Sequence, residues 1–326
     1  MARLVGALVP ARGRYSVQGG QLRKGLELWA RRAGARLVFE DDEGRPERAA
    51  VLFQELVERG CEFVLGPYGS DSTRAVAEAR RDAVVWNHGG AADDVQRLPG
   101  VISVPSPASR YLVALGSAVA TLRPGAAVAV VTAPGRFARF ARAGIEREAP
   151  SLGLTVAGAF SLRTPPAAVA AASPDAVFAC GPPRREIELF GGLRAALPDA
   201  LLGGVSPGLS AFPELLGSDP EGFLAPVQWH PELEMSPELG PSSHEFVAAA
   251  AAAGYEQPDY VATQGYAAAL IADHCLDLAP ENPLSAARRL RTTTLFGAFG
   301  LDASGLQVGH RLAVIRWHQG KQELAT

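Results

Sequence analysis

The stretch EFVLGPYGSDSTRAVAEARRDAVVWNHGG, residues 62–90, decides the fold of this chain. Its first four residues, of which the last three are apolar, predict a short buried strand, and the apolar residues 83–86 predict another. Between them, a glycine- and serine-rich turn leads into a segment that predicts a helix from about residue 70 to residue 80. A strand, a helix and a second strand in this order predict a βαβ unit with two parallel strands in one sheet.

The same alternation recurs on both sides of this stretch. Apolar runs at residues 4–9 and 36–40 precede it, and each is followed by a helical pattern. The alternation starts again further on, with strands predicted at residues 126–132, 155–160, 175–180 and 200–204. After Pro231 three helical stretches follow, at residues 244–253, 260–278 and 284–291, and two last strands are predicted at 295–299 and 311–317. The sequence therefore predicts an α/β protein with two doubly wound parallel sheets in tandem.

The composition excludes several classes of protein. The 326 residues suffice for two domains, and 48% of them are hydrophobic, which is ample for packed cores. The 31 basic and 34 acidic side chains give a net charge of −3, whereas a nucleic-acid-binding domain needs a clustered basic excess. No apolar run reaches the roughly 18 residues of a membrane span.

Cysteine and histidine usage gives no sign of a metal or cofactor site. The three cysteines are isolated, and the six histidines are scattered along the chain. Neither a P-loop nor a His-Glu-x-x-His motif occurs. We therefore expect no metal and no cofactor. The start of the sequence leads directly into the first strand without a signal peptide, so we expect either a cytoplasmic protein or an extracytoplasmic one whose signal segment lies outside this sequence.

One serine motif suggests a hydrolase. Residues 204–208 (GVSPG) match the Gly-x-Ser-x-Gly pattern of a nucleophile elbow, between a predicted strand and a helix. Such an elbow uses the N–H of the residue after the serine as an oxyanion donor, and Pro207 has none. A turn with Ser206 near a helix N-cap is therefore favoured, and a Ser206 hydrolase is the weaker alternative.

The third and fourth predicted strands end in polar, glycine-rich turns. Residues 66–73 (GPYGSDST) open a helix, so backbone N–H groups and the Ser70 hydroxyl would form an anion site. Residues 87–90 (NHGG) follow the next strand, and their two glycines allow close approach of a ligand. Open α/β sheets bind ligands at these strand ends. The alternatives are that Ser70 only caps its helix and that residues 87–90 form an ordinary turn.

Further candidates lie later in the chain. Residues 228–231 (QWHP) place Trp229 between polar groups where the second sheet ends, and the alternative is a structural tryptophan that covers a hinge. Tyr260 and Gln264 share one face of a predicted helix that also carries Tyr266. Core packing is the more common fate of such tyrosines.

Taken in order, these pieces resemble the type I periplasmic solute-binding proteins of the leucine/isoleucine/valine-binding kind. The segments that carry the resemblance follow that family's order of strands, loops and helices: LVGALVP at 4–10 with Gly13, Gly19 and Gly25, FEDDEGRP at 39–46, VLGP at 64–67 with Ser70, PDY at 258–260, YAA at 266–268, and residues 311–321. The resemblance covers nearly the whole chain.

The resemblance implies a Venus-flytrap of two lobes, joined by three crossings, whose cleft closes on a small solute by hinge motion. Lobe one would comprise residues 1–123 and 231–294, and lobe two residues 124–230 and 295–326. The chain would be a monomeric, non-enzymatic, periplasmic component that delivers an amino acid, an amide or a small carboxylate to an ABC permease. A cytoplasmic ligand sensor on the same fold is the alternative.

The resemblance also implies where the ligand is bound. Ser70 would contact a ligand carboxylate, and the loop after the fourth strand would offer backbone contacts. The expected ligand-binding residues are Tyr15, Tyr68, Ser70, Asn87, His88, Gly89, Gly90, Arg136, Trp229, Gln264 and Tyr266. The chain has Ala91 where the amino-acid binders place a threonine that meets the ammonium group, and Val205 and Ser206 where they place an acidic residue. A carboxylate with a flat or polar body would therefore suit the site at least as well as an amino acid.

Overall fold

The computed structural model describes residues 2–233 and 235–325, and the chain forms two compact units. Lobe one comprises the residues up to 107 together with Pro231–Arg311, and lobe two comprises Ala108–His230 together with the residues from 312 onward. The chain therefore passes from one lobe to the other three times, as the sequence predicts.

The first segment of lobe one contains strands β1 (Leu4–Leu8), β2 (Arg36–Glu40), β3 (Phe63–Leu65), β4 (Val85–Asn87) and β5 (Val101–Ser103), with helices α1 (Ser16–Ala33), α2 (Pro46–Glu58), α3 (Ser70–Ala79) and α4 (Asp93–Gln96). Lobe two follows with helices α5 (Tyr111–Leu122), α6 (Arg136–Glu148), α7 (Pro166–Ala170), α8 (Pro183–Ala196) and α9 (Phe212–Leu216), and strands β6 (Ala127–Thr132), β7 (Thr155–Ser161), β8 (Ala176–Cys180), β9 (Leu201–Gly204) and β10 (Leu224–Val227). Lobe one resumes with α10 (Ser243–Ala252), α11 (Tyr260–Leu278), α12 (Pro283–Arg289), β11 (Arg291–Thr294) and β12 (Gly297–Gly300), and β13 (Ala313–His318) and β14 (Lys321–Leu324) complete lobe two.

The predicted lobe is wrong for two segments of the chain. Residues 108–123 lie in lobe two, because the apolar face of α5, with Leu112 and Leu115, is buried in the core that Val128 and Val130 of β6 also form. Residues 295–311 lie in lobe one. They are held there by polar contacts, among them a 2.7 Å hydrogen bond between a ring nitrogen of His310 and the Ser106 hydroxyl.

The main sheet of lobe one has the strand order β2-β1-β3-β4-β5, and all its pairs are parallel. β2 lies on one side of β1 in the sheet, and the next strand of the chain, β3, lies on the other side of β1. This reversal makes the carboxyl ends of β1 and β3 the switch point, where open α/β sheets bind ligands. The doubly wound prediction is confirmed for this lobe.

The sheet of lobe two has the order β14-β13-β10-β9-β8-β6-β7. Strands β10, β9, β8, β6 and β7 are parallel, and β13 and β14 add an antiparallel hairpin at one edge. The predicted turn at residues 319 and 320 closes that hairpin, with φ values of 49° and 74° that suit a tight two-residue turn. The switch point of this sheet lies at β6 and β8.

Three further features of the described residues bear on function. None of their helices combines the length and apolarity that a membrane crossing requires. Across residues 2–233 and 235–325, no three acidic, histidine or cysteine side chains converge into a metal site. The three cysteines are buried free thiols.

Candidate functional site

Two turns at the carboxyl edge of the lobe-one sheet are joined into one surface. Tyr68, after β3, forms an isolated parallel bridge with Gly89, after β4, and the Gly69 N–H donates to the Gly89 carbonyl at 3.2 Å. The Ser70 hydroxyl accepts a hydrogen bond from the Ala92 N–H at 3.0 Å. The two glycine-rich turns that the sequence singles out therefore form one continuous rim.

Two glycines make this close approach possible. A β-carbon added at Gly89 would lie 2.6 Å from a ring carbon of Tyr68, and one added at Gly90 would lie 2.4 Å from Oγ1 of Thr73. Any side chain at either position would push the two turns apart. These glycines therefore shape the rim, and their backbone is the part of them that a ligand can reach.

Ser70 is the first helical residue of α3, not its cap. The N-cap is Gly69, and no side-chain cap is formed. Ser70 is 7% exposed, and its hydroxyl accepts a hydrogen bond from the Ala92 N–H. Among the described residues its own proton has no acceptor, so it can be donated to an anion. The capping alternative is therefore wrong, and the hydroxyl lies beside the N–H groups of the first turn of α3, which also favour an anion.

Asn87 uses its whole amide inside the rim. Nδ2 donates to the Gly90 carbonyl at 2.8 Å and to the Ser103 hydroxyl at 2.7 Å. Oδ1 accepts from the N–H groups of Gly89 at 3.1 Å and Gly90 at 2.7 Å. A carboxamide has two donor hydrogens and two acceptor lone pairs, so none is left for a ligand. Asn87 therefore shapes the loop, and its amide offers a ligand no free hydrogen-bonding group.

His88 is fully buried beneath the switch point. A β-carbon added at Gly66 would lie 2.7 Å from His88 Nε2 and 2.8 Å from the Leu8 carbonyl oxygen, which places the ring between the ends of β1 and β3. Neither ring nitrogen makes a well-formed hydrogen bond with any residue that the structure describes. Burial lowers the pKa of His88 to about 3, although the nearby Leu8 carbonyl opposes the shift. The ring is therefore neutral at physiological pH and supplies no positive charge to a carboxylate.

The buried His88 is expected to make the protein less stable in mild acid. Its folded pKa of about 3 lies below the ordinary value of 6.5, so between these values only the unfolded chain takes up the proton. Stability is unaffected by this group above pH 6.5 and falls as pH drops below it. We expect a loss of about 2 kcal/mol between pH 7 and pH 5. Denaturant unfolding of the wild type and of His88→Gln at both pH values measures it, since other groups cancel in the difference. An equal pH dependence of the two proteins would contradict this role.

Two aromatic rings lie at the turn that precedes Ser70, and a β-carbon added at Gly69 would lie 2.8 Å from a ring carbon of Tyr15. The rings of Tyr15 and Tyr68 meet edge to face with centroids 5.3 Å apart, and the Tyr68 hydroxyl is hydrogen-bonded to Tyr260. Burial raises the pKa of Tyr68, and the nearby Tyr15 and Asp259 raise it further, so its hydroxyl stays protonated. The sequence places Tyr260 on the right helix but does not include it among the site residues.

The two other candidates on α11, Gln264 and Tyr266, point to different sides of the helix. Gln264 is buried one helical turn after Tyr260. Tyr266 packs edge to face on Phe246 of α10, with ring centroids 5.4 Å apart, and its hydroxyl has no hydrogen-bond partner within residues 2–233 and 235–325. Six residues turn a helix through about 600°, so Tyr266 points to a different side from Tyr260. Burial raises the pKa of Tyr266 to about 12. Tyr266 therefore packs between α11 and α10, and its place at the floor of the site stays a prediction.

Lobe two has its own polar edge. Arg136 is half-buried and begins α6 after β6, and Trp229 is 3% exposed and follows β10. Between the ends of β6 and β10 in the sheet order, the Ser206 hydroxyl donates to the buried carboxylate of Glu186 at 2.6 Å. Ser206 is itself buried, so the motif at residues 204–208 holds a structural contact and does not present an exposed nucleophile. Nothing in the sequence pattern marks Glu186.

Comparison with known proteins gives one family and many similar folds. The family model described as periplasmic binding protein matches residues 4–322. No curated protein sequence matches the chain. A solute-binding protein of an ABC transporter from R. palustris in complex with benzoate is 22% identical with a TM-score of 0.82, over 100% of this chain and 96% of that one. A branched-chain amino acid transporter substrate-binding protein from Streptococcus pneumoniae, in complex with isoleucine, is 15% identical with a TM-score of 0.85, over 99% and 98%.

A third similar structure carries a hydroxylated aromatic acid. This solute-binding protein of an ABC transporter from R. palustris, in complex with 4-hydroxybenzoate, is 17% identical with a TM-score of 0.83, over 99% of this chain and 95% of that one. All three likenesses span both lobes, and at these identities they establish the shared fold.

Proposed function

The chain belongs to the periplasmic binding protein family, and on that premise we propose that it is the solute-binding component of an ABC importer and captures a small carboxylate. The observation that carries the proposal is Ser70, whose hydroxyl proton is unused beside the first turn of α3. A hydroxyl and helix N-terminal N–H groups together bind a carboxylate without any charged side chain.

We propose an aromatic or similarly flat carboxylate in preference to an α-amino acid. Tyr15 and Tyr68 place aromatic surface next to Ser70, and aromatic rings attract one another edge to face and in offset stacks. Ala91 has no hydroxyl to meet an ammonium group, and the neutral His88 leaves the rim uncharged at that point. Two of the similar structures hold benzoate and 4-hydroxybenzoate, and a third holds isoleucine.

A thermal-unfolding panel with benzoate, 4-hydroxybenzoate, leucine and isoleucine tests the ligand class. A ligand that binds only the folded protein stabilises it by about 2.7 kcal/mol at one hundred times Kd. We expect the two benzoates to raise Tm and the two amino acids to leave it nearly unchanged. The reverse order would show that the ligand class is wrong, and no shift with any member of a wider panel of acids and amides would remove the support for solute binding.

Ser70→Ala is expected to weaken benzoate binding about tenfold, because one hydrogen bond to a charged group contributes roughly 1.5–3 kcal/mol. The free energy of unfolding should fall by only about 1 kcal/mol, since Ala92 loses its acceptor. Ser72→Ala is the matched control, because Ser72 lies in the same helix turn and its buried hydroxyl has no hydrogen-bond partner in the described part of the chain. Calorimetric titration and a denaturant melt on each variant give both numbers. Equal affinities of the two variants would exclude Ser70 as a ligand contact.

We propose that the protein works outside the cytoplasm as a monomer and passes its ligand to an ABC permease. The family match supports this location and partner. A cytoplasmic sensor on the same fold would be found instead in the soluble fraction that remains after selective release of the periplasm. Light scattering during size-exclusion chromatography measures the mass of the particle, which should be that of one 34.1 kDa chain.

A further inference from the structure

A buried carboxylate ties two turns of lobe two together. Glu186 lies in the first turn of α8 and is 0% exposed. Its Oε1 accepts a hydrogen bond from the Gly181 N–H at 2.6 Å, and its Oε2 accepts from the Ser206 N–H at 2.8 Å and the Ser206 hydroxyl at 2.6 Å. One side chain therefore holds the turn after β8 and the turn after β9.

These turns lie where the lobe-two sheet would meet a ligand. β8 and β9 are adjacent and parallel, with Ala179 opposite Gly204, so their carboxyl ends lie side by side. β8 also neighbours β6, where the strand order reverses, and ligands of open α/β sheets bind at that reversal. A β-carbon added at Gly181 would lie 2.8 Å from Cβ of Ala133, the residue after β6. Glu186 therefore accepts its hydrogen bond from the turn after β8, which packs on the end of β6 at the switch point.

Two features of the neighbouring sequence accommodate the Glu186 carboxylate. A β-carbon added at Gly204 would lie 2.9 Å from Oε2 of Glu186, so the end of β9 must be glycine for the carboxylate to fit. The position of Glu186 in the first turn of α8 also favours a negative charge. Because the side chain is fully buried and its oxygens are occupied by donors of this chain, it acts on a ligand only through the turns that it holds.

We propose that Glu186 is the positioning residue of a ligand-contacting edge of the lobe-two sheet. Its carboxylate fixes the turn at residues 181–182 and the turn at residues 205–206 in the arrangement that the ligand meets. This inference rests on the proposed function, because solute binding is what gives this edge of the sheet its task. It also gives the Gly-x-Ser-x-Gly stretch a role that involves no nucleophile.

The ionisation of Glu186 gives the contact a signature of its own. Burial raises the pKa of Glu186 to about 7, while its hydrogen bonds oppose the shift. Hydrogen bonds to an ionised carboxylate are stronger than those to a neutral one, so the turns should be held more firmly as pH rises through 7. Cys180 of β8 interacts with this charge, which raises the pKa of the buried thiol further. The charged residues of α8 near Glu186, and of α9 that packs on α8, are exposed: Arg184, Arg185, Glu188 and Glu214.

Amide hydrogen exchange on the ligand-free protein, followed by NMR, tests the positioning role without any ligand. In Glu186→Gln, an NH₂ group replaces one of the carboxylate oxygens that accept hydrogen bonds from Gly181 and Ser206. We expect the Gly181 and Ser206 amides to lose at least tenfold in protection. Protection at these two amides should rise several-fold from pH 6 to pH 8 in the wild type and stay flat in Glu186→Gln. Wild-type protection of both amides in Glu186→Gln would overturn the proposal.

Two further variants separate positioning from loss of stability. Leu193→Ala opens a cavity two turns further along the same helix, and it should lower stability without selective loss at these two amides. Ser206→Ala removes one of the three contacts, and it should give a smaller loss at the same sites if Glu186→Gln does not fold. A uniform loss of protection across lobe two in Glu186→Gln or Ser206→Ala would show a merely structural role.

Titration with benzoate completes the test. Glu186→Gln should bind at least fivefold more weakly than the wild type, while Leu193→Ala should bind as the wild type does. Unchanged affinity of Glu186→Gln for benzoate would overturn the positioning role. If the wild type itself binds neither benzoate nor another carboxylate, the proposed function fails, and the exchange data still decide whether Glu186 holds the two turns.

Discussion

Replacing Gly25 with alanine is expected to destabilise lobe one by more than about 3 kcal/mol. Gly25 lies in the middle of α1, where that helix crosses α11, and an added β-carbon would lie 1.8 Å from the Ala262 carbonyl oxygen. The obstacle is backbone on a buried helix, so the two helices must move apart along their interface. A loss of this size is a large part of the 5–15 kcal/mol that stabilises a typical domain. Calorimetric unfolding of the ligand-free protein measures it.

Gly20→Ala is the matched control, because it makes the same chemical change in the same helix. Gly20 is exposed, and an added β-carbon would meet no atom within 4 Å. Alanine favours a helix over glycine by up to about 1 kcal/mol, so this variant should be more stable than the wild type. The two substitutions are expected to have opposite signs. If both were stabilising, the close contact between α1 and α11 would not exist.

This pair of glycines also shows what the sequence can and cannot predict about the fold. The strand and helix periodicity of residues 4–90 is local, and it predicts β1 to β4, α2 and α3 at nearly the right places, whereas α1 begins six residues before the helix predicted over residues 22–32. Which glycine of α1 touches another helix depends on α11, more than two hundred residues later, and no local pattern carries that information. The same holds for α5, whose apolar face has a clear place only once β6 is present.

The prediction of the lobe boundaries from the sequence fails for a related reason. Residues 295–311 are held in lobe one by buried polar contacts, such as the Gln307 side chain with the Val104 carbonyl at 3.2 Å. Hydrogen bonds between residues so far apart in the chain leave no periodic trace in either segment. A boundary between lobes can therefore be predicted from the sequence only where the pattern of elements itself changes, as it does at Pro231.

For the candidate site, the sequence predicts where the polar turns lie but not which way their side chains point. The position of a polar turn at the end of a parallel strand follows from the topology, so Ser70 and residues 87–90 are found at the expected edge. Whether a polar side chain in such a turn faces outward or inward depends on packing. Asn87 and His88 both turn inward, one into a saturated hydrogen-bond network and the other into a buried pocket. Glu186 acts through neighbours on two other elements and leaves no motif.

Asn87→Asp is expected to lower stability by about 3 kcal/mol at pH 7 and to weaken benzoate binding. The substitution keeps the shape of the side chain and the oxygen that accepts from Gly89 and Gly90. It replaces the donor that faces the Gly90 carbonyl at 2.8 Å with an oxygen, and it adds a charge to a site that is 0% exposed. An uncompensated buried charge costs about 3–5 kcal/mol. Affinity should fall with stability, because the displaced loop carries the backbone of Gly89 and Gly90 that lines the rim.

The dependence of this effect on pH distinguishes lost hydrogen bonds from lost packing. Burial raises the pKa of the new carboxyl group, although the N–H groups of Gly89 and Gly90 oppose the shift, and the protonated form can again donate to the Gly90 carbonyl or the Ser103 hydroxyl. The difference in unfolding free energy between Asn87→Asp and the wild type should therefore shrink as pH falls from 7 to 5. Ser103→Ala removes one of the four bonds without adding charge, so it should cost about 1 kcal/mol at either pH. If the deficit of Asn87→Asp were the same at both pH values, the amide donors of Asn87 would not be what holds the rim.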